Sequence, residues 1–204
     1  MKIRNYLVIV SMITFNALLI LSCNNDTSNA ADYNGEQAET VVAEPTIEEV
    51  IAHGKYLVTI LGCNDCHSPK KMGAMGPEVI AELMLSGYPA DRPVVKFDNP
   101  MLKEGFGLFY PDLTAAAGPW GVSFAANLTP DETGIGNWTE EQFKKAMTEG
   151  KWKGLDGGRT LLPPMPWLNF AEMNDTDLHA IFTYLKSINP VENLVPQPIS
   201  LDMM

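Results

Sequence analysis

Cys63-Asn64-Asp65-Cys66-His67 brings two thiols and an imidazole together at a spacing that can do chemistry. Thiols three positions apart on a turn face the same way and can add to the two vinyl groups along one edge of a porphyrin. The imidazole that follows then lies beneath the ring, placed to bind iron. Cys and His each occur three times in 204 residues, so chance would produce this pattern in roughly six of ten thousand such chains. It is read as an attachment site for one haem c, with Cys63 and Cys66 as covalent anchors and His67 as the proximal ligand. Two other chemistries use the same residue types. A redox-active dithiol sits between a strand and a helix, a context this sequence does not offer. Structural zinc wants four ligands, and no second Cys or His pair exists.

Iron held by one His either takes a sixth ligand or stays open. Of the eleven Met, most read as core filler or leader. Met165 differs, because Leu161-Leu162-Pro163-Pro164-Met165-Pro166-Trp167 places it in an extended strap that proline stiffens on both sides. Such a strap cannot be helix and can hold a thioether against a flat ring. Met165 is the expected distal ligand; Met72, Met75, Met101, His53 and an open site are the alternatives. His53 and His179 read as surface histidines of the first and last helices. Burial among Phe124, Leu128, Trp138, Phe143, Leu162, Trp167 and Phe170, together with thioether ligation, favours ferrous iron. Arg159, beside Gly157-Gly158, either pairs with a haem propionate or lies in a solvated loop.

These groups need elements to position them. Thr46-Ile47-Glu48-Glu49 is a capping box. After it Val50, Ile51, Gly54, Leu57, Val58 and Leu61 recur at helical spacing until Gly62, so the first helix delivers the chain into Cys63. Pro77 opens an expected second helix that Gly87 ends, with Val79, Ile80, Leu83 and Met84 as its apolar face. From Tyr88 to Pro130 no period of either kind persists, which reads as a long loop wrapping a ligand. Thr139-Glu140-Glu141-Gln142 opens another helix with Phe143, Ala146 and Met147 inward and Gly150 after it. Asn174 or Asp175 caps a last helix whose stripe is Leu178, Ile181, Phe182, Leu185 and Ile188, before Pro190 stops it. No strand pair emerges, so the expected fold class is all-α.

The amino terminus carries an address. Lys2 and Arg4 precede an apolar run from Tyr6 to Leu21, a signal-peptide pattern over residues 1–22. Ile20-Leu21-Ser22-Cys23 resembles the bacterial lipobox, which makes Cys23 the lipidation site; a plain secretory signal and an uncleaved helical anchor are the alternatives. Residues 23–45 read as an acidic disordered tether and 46–204 as the folded domain. Asn24 to Val50 holds seven acidic residues and no Lys or Arg, so much of the formal net charge of -11 sits outside the fold. An acidic chain of this kind does not bind nucleic acid.

From about Glu48 to Pro196 the chain resembles class I mono-haem c-type cytochromes, and is similar to the cytochrome c subunits of membrane-bound quinoprotein and flavoprotein dehydrogenases of the alcohol and gluconate type. The resemblance rests on His53-Gly54-Lys55-Tyr56-Leu57, Asn127-Leu128-Thr129-Pro130-Asp131, Thr133-Gly134-Ile135-Gly136-Asn137-Trp138-Thr139, Pro164-Met165-Pro166-Trp167 and Asp177-Leu178-His179-Ala180-Ile181-Phe182-Thr183-Tyr184-Leu185. It implies first and last helices that cross, with Gly54 approaching the stripe near Phe182 and Leu185, long haem-wrapping loops, and His67 and Met165 as axial ligands. Those subunits often carry three haem motifs; this chain carries one. The expected function is a single-electron carrier, not an enzyme. It would be exported and lipid-anchored to a bacterial membrane facing the periplasm, linking a dehydrogenase or quinol-oxidising complex to a terminal oxidase or other acceptor. The alternative is a haem enzyme or gas sensor with a labile sixth ligand. A third possibility is a structural subunit that uses haem as a core plug.

Overall fold

A computed structural model of the chain describes residues 43–94 and 100–204. The expected signal peptide, the expected lipidation site Cys23 and the expected tether up to Val42 lie outside the described residues. Helix α1 spans Ile47–Ile60, and the capping box at its start is complete: Thr46 Oγ1 accepts from Glu49 N, and the Glu49 carboxylate accepts from Thr46 N. Helix α4, Glu140–Glu149, repeats the device with Thr139 and Gln142, and Gly150 closes it at φ 64°. Helix α5, Asp175–Ser187, is capped by Asn174, whose side chain accepts from Asp177 N. Each of these three helix starts follows from a short polar side chain satisfying backbone N–H groups that the helix leaves without partners.

Helices α1 and α5 cross at Gly54. A Cβ there would lie 1.9 Å from the Ala180 carbonyl oxygen and 2.8 Å from Tyr184 Cβ. The contact is therefore with Ala180 and Tyr184, one step around the helix from the expected Phe182 and Leu185. Leu57 and Val58 of α1, Leu178, Ile181 and Leu185 of α5, and Phe143 and Met147 of α4 share the main core with Leu85, Ile135 and Phe170.

The all-α expectation is overturned by two small antiparallel sheets, one running into the expected second helix and one within the stretch from Tyr88 to Pro130 that lacked any period. Where a helix from Pro77 to Gly87 was expected, strand β1, Lys70–Gly73, turns at Ala74-Met75 into strand β2, Gly76–Val79. The single helical turn that follows is Ala81–Leu83. Gly76 adopts φ 129°, which starts a strand and not a helix, and the Ile80 N–H goes to Pro69 O across the hairpin. Beyond a short helix α3, Pro100–Lys103, three strands pair in the order β3 (Leu108–Phe109), β4 (Ala115–Gly118) and β5 (Gly121–Phe124). Strand β4 is Ala-Ala-Ala-Gly and buried throughout, so it shows neither the alternation nor the β-branched residues that mark strands. Its turn into β5 packs the Trp120 ring over Gly118, where a Cβ would lie 2.4 Å from the ring. The sheet has its own small core of Leu102, Ala117 and Val122, and the C-terminal tail extends it, with Ile199 and Val122 exchanging both backbone bonds at 2.8 and 3.0 Å.

A polar lock ties this region together. Arg92 donates to Asp112 Oδ2 at 2.8 Å and Thr114 Oγ1 at 3.0 Å, and its guanidinium lies 5.1 and 5.3 Å from the Tyr88 and Tyr110 ring centres. Asp112 Oδ1 also accepts from Thr114 N and Oγ1. Burial would raise the Asp112 carboxyl, but the bonds from Arg92 and Thr114 outweigh it and hold it below the ordinary 3.8.

On an exposed helix, Gly to Ala stabilises by about 1 kcal/mol. At position 54 the sign reverses: Gly54→Ala loses about 1–3 kcal/mol in urea denaturation, because α1 and α5 must separate. A folded-state pKa below the unfolded one gives stability that is present above pH 3.8 and lost as pH falls through the folded value. Asp112→Asn therefore loses about 1.5–3 kcal/mol at neutral pH, and its stability falls less steeply with acid below pH 3.8 than that of the parent.

Candidate haem site

Gly62, at φ 70°, ends α1 and opens helix α2, Cys63–His67, a single turn that carries the whole motif. Both thiols are free and half-buried, and Cys63 packs against the main core. Burial pushes the Cys63 thiol up to about 11 and raises Cys66 as well. That is opposite to the depressed thiol of a reactive dithiol. Among the described residues no group of three or more His, Cys, Asp or Glu gathers that could hold a metal ion, which leaves structural zinc without a ligand set.

The His67 ring is oriented by the segment that follows β5. Its Nδ1 lies 2.7 Å from the Ala126 carbonyl oxygen, and since a carbonyl only accepts, Nδ1 carries the proton and Nε2 keeps its lone pair. Burial lowers the imidazole pKa, against the Ala126 bond that raises it, so the ring is neutral. A neutral imidazole with its second nitrogen fixed by a carbonyl is the form that ligates metal.

The turn itself is pinned from below. Lys70 Nζ reaches the carbonyl oxygens of Asn64, Asp65, Ser68 and Asp112 at 3.2, 2.7, 3.0 and 2.9 Å. Three ammonium protons serve these four acceptors, so at least one proton is shared. The cation thus caps the C-terminal carbonyls of α2 and ties it to the loop that bears Asp112. Ser68 Oγ donates to Asn64 Oδ1 and accepts from Leu85 N, both at 2.8 Å, while Gly87 N donates to the His67 carbonyl at 2.8 Å.

Met165 is half-buried and packs against the same core as Cys63, along with Leu128 and Trp138. Its strap is a turn, not an extended run: Met165 N donates to Leu162 O at 3.2 Å, and a short 3-10 helix, Trp167–Phe170, follows. Leu161, Pro163 to Trp167 and Leu168 line a pocket of about 190 Å³. The other candidates lie elsewhere. Met72 and Met75 sit on the β1–β2 hairpin, 75% and 97% exposed, and Met101 is exposed on α3. His53 is exposed and bonds Asp177 at 2.7 Å; His179 pairs with Glu140 at 3.1 Å. Arg159 lies over the Trp152 ring at 4.9 Å and donates to Thr160 O.

Spacing alone singles out the thiols and His67 as candidates. It does not reveal Lys70 or Ala126, the second because it acts through a long-range bond from a segment without any period. Lys70 had a local signal, a cation three residues past the end of a predicted turn.

No protein-family model matches the chain. It is 42% identical over 79 residues to a component of the nicotinate dehydrogenase of Pseudomonas putida, covering 38% of this chain and 6% of that protein. Against the cytochrome c subunit of the quinone-dependent alcohol dehydrogenase of Gluconobacter oxydans it is 38% identical over 90 residues, 41% of this chain and 18% of that one. Against the fructose dehydrogenase cytochrome subunit of Gluconobacter japonicus it is 27% identical over 150 residues, 72% and 23% respectively. The chain thus spans less than a quarter of the length of each of these relatives. Similarity to cytochrome subunits of dehydrogenases agrees with the donor set, because two thiols and a neutral imidazole on one turn are what haem c requires.

Lys70→Met keeps the apolar stem and removes the cation from four carbonyls. It lowers the unfolding free energy by about 1.5–3 kcal/mol in chemical denaturation, more than a surface lysine would.

Proposed function

We propose that this chain is a single-electron carrier built around one covalently attached haem c, with His67 and Met165 as axial ligands. The observation that carries the reading is the His67 Nδ1 to Ala126 O bond on the Cys-x-x-Cys-His turn, which leaves Nε2 as the free donor. Met165 supports it as the candidate thioether that shares a core with Cys63. Bound there, the haem would supply a ferrous/ferric couple. Cys63 and Cys66 would hold it covalently, His67 would present Nε2 and Met165 its sulfur, and Phe143, Trp138 and Leu128, in the core shared with Cys63 and Met165, would help exclude water. Ligation by both His67 and Met165 would leave no place for substrate, which favours electron transfer over turnover.

The names of the similar proteins favour a dehydrogenase as electron donor. A quinol-oxidising complex is the other donor class, and a terminal oxidase is a fitting acceptor. Encounters of this kind are small and transient. We place the protein outside the cytoplasm, lipid-anchored through Cys23 to a bacterial membrane and facing the periplasm, on the strength of the leader and lipobox pattern. Among the described residues no helix is long and apolar enough to cross a membrane.

The holoprotein should show a reversible one-electron couple, and its ferrous form should bind carbon monoxide slowly. Met165→Ala should bind it promptly, with a lower potential and loss of the far-red band of thioether-bound ferric iron. Prompt binding by the parent protein would favour the gas sensor or haem enzyme instead.

A further inference from the structure

Prolines at 163, 164 and 166 strip the strap around Met165 of three backbone N–H donors. Its backbone bonds are few: Leu161 N to Gly150 O at 2.7 Å, where the strap leaves the end of α4, and the local Met165 N to Leu162 O and Asn169 N to Pro166 O. Pro163, Pro164 and Pro166 are exposed. A segment with so few bonds of its own must be placed by something outside it.

Among the described residues, the side-chain hydrogen bond that reaches the strap beside Met165 comes from Ser123, on β5. Its hydroxyl lies 2.6 Å from the Pro163 carbonyl oxygen, across 40 residues of sequence. Ser123 Oγ also accepts from Trp120 Nε1 at 3.3 Å and lies 3.3 Å from the Ala116 carbonyl oxygen on β4. A hydroxyl has one proton, and the shorter distance sends it to Pro163. Ser123 is 8% exposed, so its hydroxyl sits largely out of bulk water, and losing it takes a partner from the Pro163 carbonyl and from the Trp120 indole N–H.

We propose that Ser123 is a positioning residue for the sixth iron ligand: its hydroxyl holds Pro163, two residues before Met165, and so keeps the thioether from leaving the iron. The inference rests on Met165 being that ligand. Ser123 is assigned no iron ligation and acts through the strap, by its bond to Pro163.

The test uses the purified holoprotein and three readouts: carbon monoxide binding to the ferrous form, the far-red thioether band of the ferric form, and the redox potential. Ser123→Ala should raise the carbon monoxide binding rate about tenfold, weaken the band and lower the potential, while Ser123→Thr, which restores the hydroxyl, returns all three toward the parent. Should Ser123→Ala fail to accumulate, Ser123→Cys, close in volume and a weak donor, should show the same changes at smaller size. Parent-like behaviour of the Ala or Cys variant, in a protein where Met165→Ala does open the iron, overturns the role of Ser123 and leaves the ligation standing. Failure of Ser123→Thr to rescue assigns the effect to packing and also overturns it. If Met165→Ala itself changes nothing, the ligation falls first and the inference falls with it.

Discussion

The bond from His67 Nδ1 to the Ala126 carbonyl is the constraint on which the rest depends. An imidazole on a single helical turn can rotate about χ1 and χ2, and in either tautomer it can bury a nitrogen lone pair or expose it. One carbonyl at 2.7 Å decides both ring orientation and proton position. That carbonyl is useful only if its own backbone is fixed. Ala125 N donates to Thr114 O, Tyr88 N to Ala125 O and Leu128 N to Leu85 O, so residues 125–128 are held from both sides. Beneath them, Asp112 and Thr114 are locked by Arg92. Removing the sheet of β3, β4 and β5 would free the ring that the motif presents.

Much of the frame was legible because it is written locally. Both capping boxes, the Asn174 cap, the stops at Gly62 and Gly150 and the inward face of α4 are short-range signals, and each lies where its residues put it. Gly54 was readable as a close approach, though the partner lay one step around the helix, because the nearest atom is a backbone oxygen and not the side-chain stripe. The sheets were not legible for a physical reason. Their strands are two to four residues long, too short to show a period. β4 is built from alanine and glycine and is buried on both faces, which erases the pattern a half-exposed strand displays. Reading the stretch from Tyr88 as a ligand-wrapping loop missed its architecture, the sheet of β3, β4 and β5.

The candidate site divides in the same way. The thiols, His67 and Met165 announce themselves by type and spacing. The groups that orient them do not, because an alanine carbonyl or a strand serine has no signature beyond its place in three dimensions. Lys70 stands between the two cases: its charge is visible, but its four acceptors include Asp112, 42 residues away, which only folding brings near.

Ser123 and Ala126 are three residues apart on one stretch of chain, so their Cα atoms are at most about 11 Å from each other. One grips the strap that carries Met165 and the other grips His67. On the proposed ligation, the two sides of the iron are then referenced to a single short segment and not to separate loops that drift independently. Trp120 over Gly118, the buried alanines of β4 and the Ile199 bridge stiffen that segment, and small motion of the ligands between oxidation states is what a carrier of single electrons needs. An enzyme or sensor would gain from the reverse, a strap loosely held so that its sulfur could leave. A buried hydroxyl bonded to a strap where proline has removed three of the backbone's own donors argues for the first design.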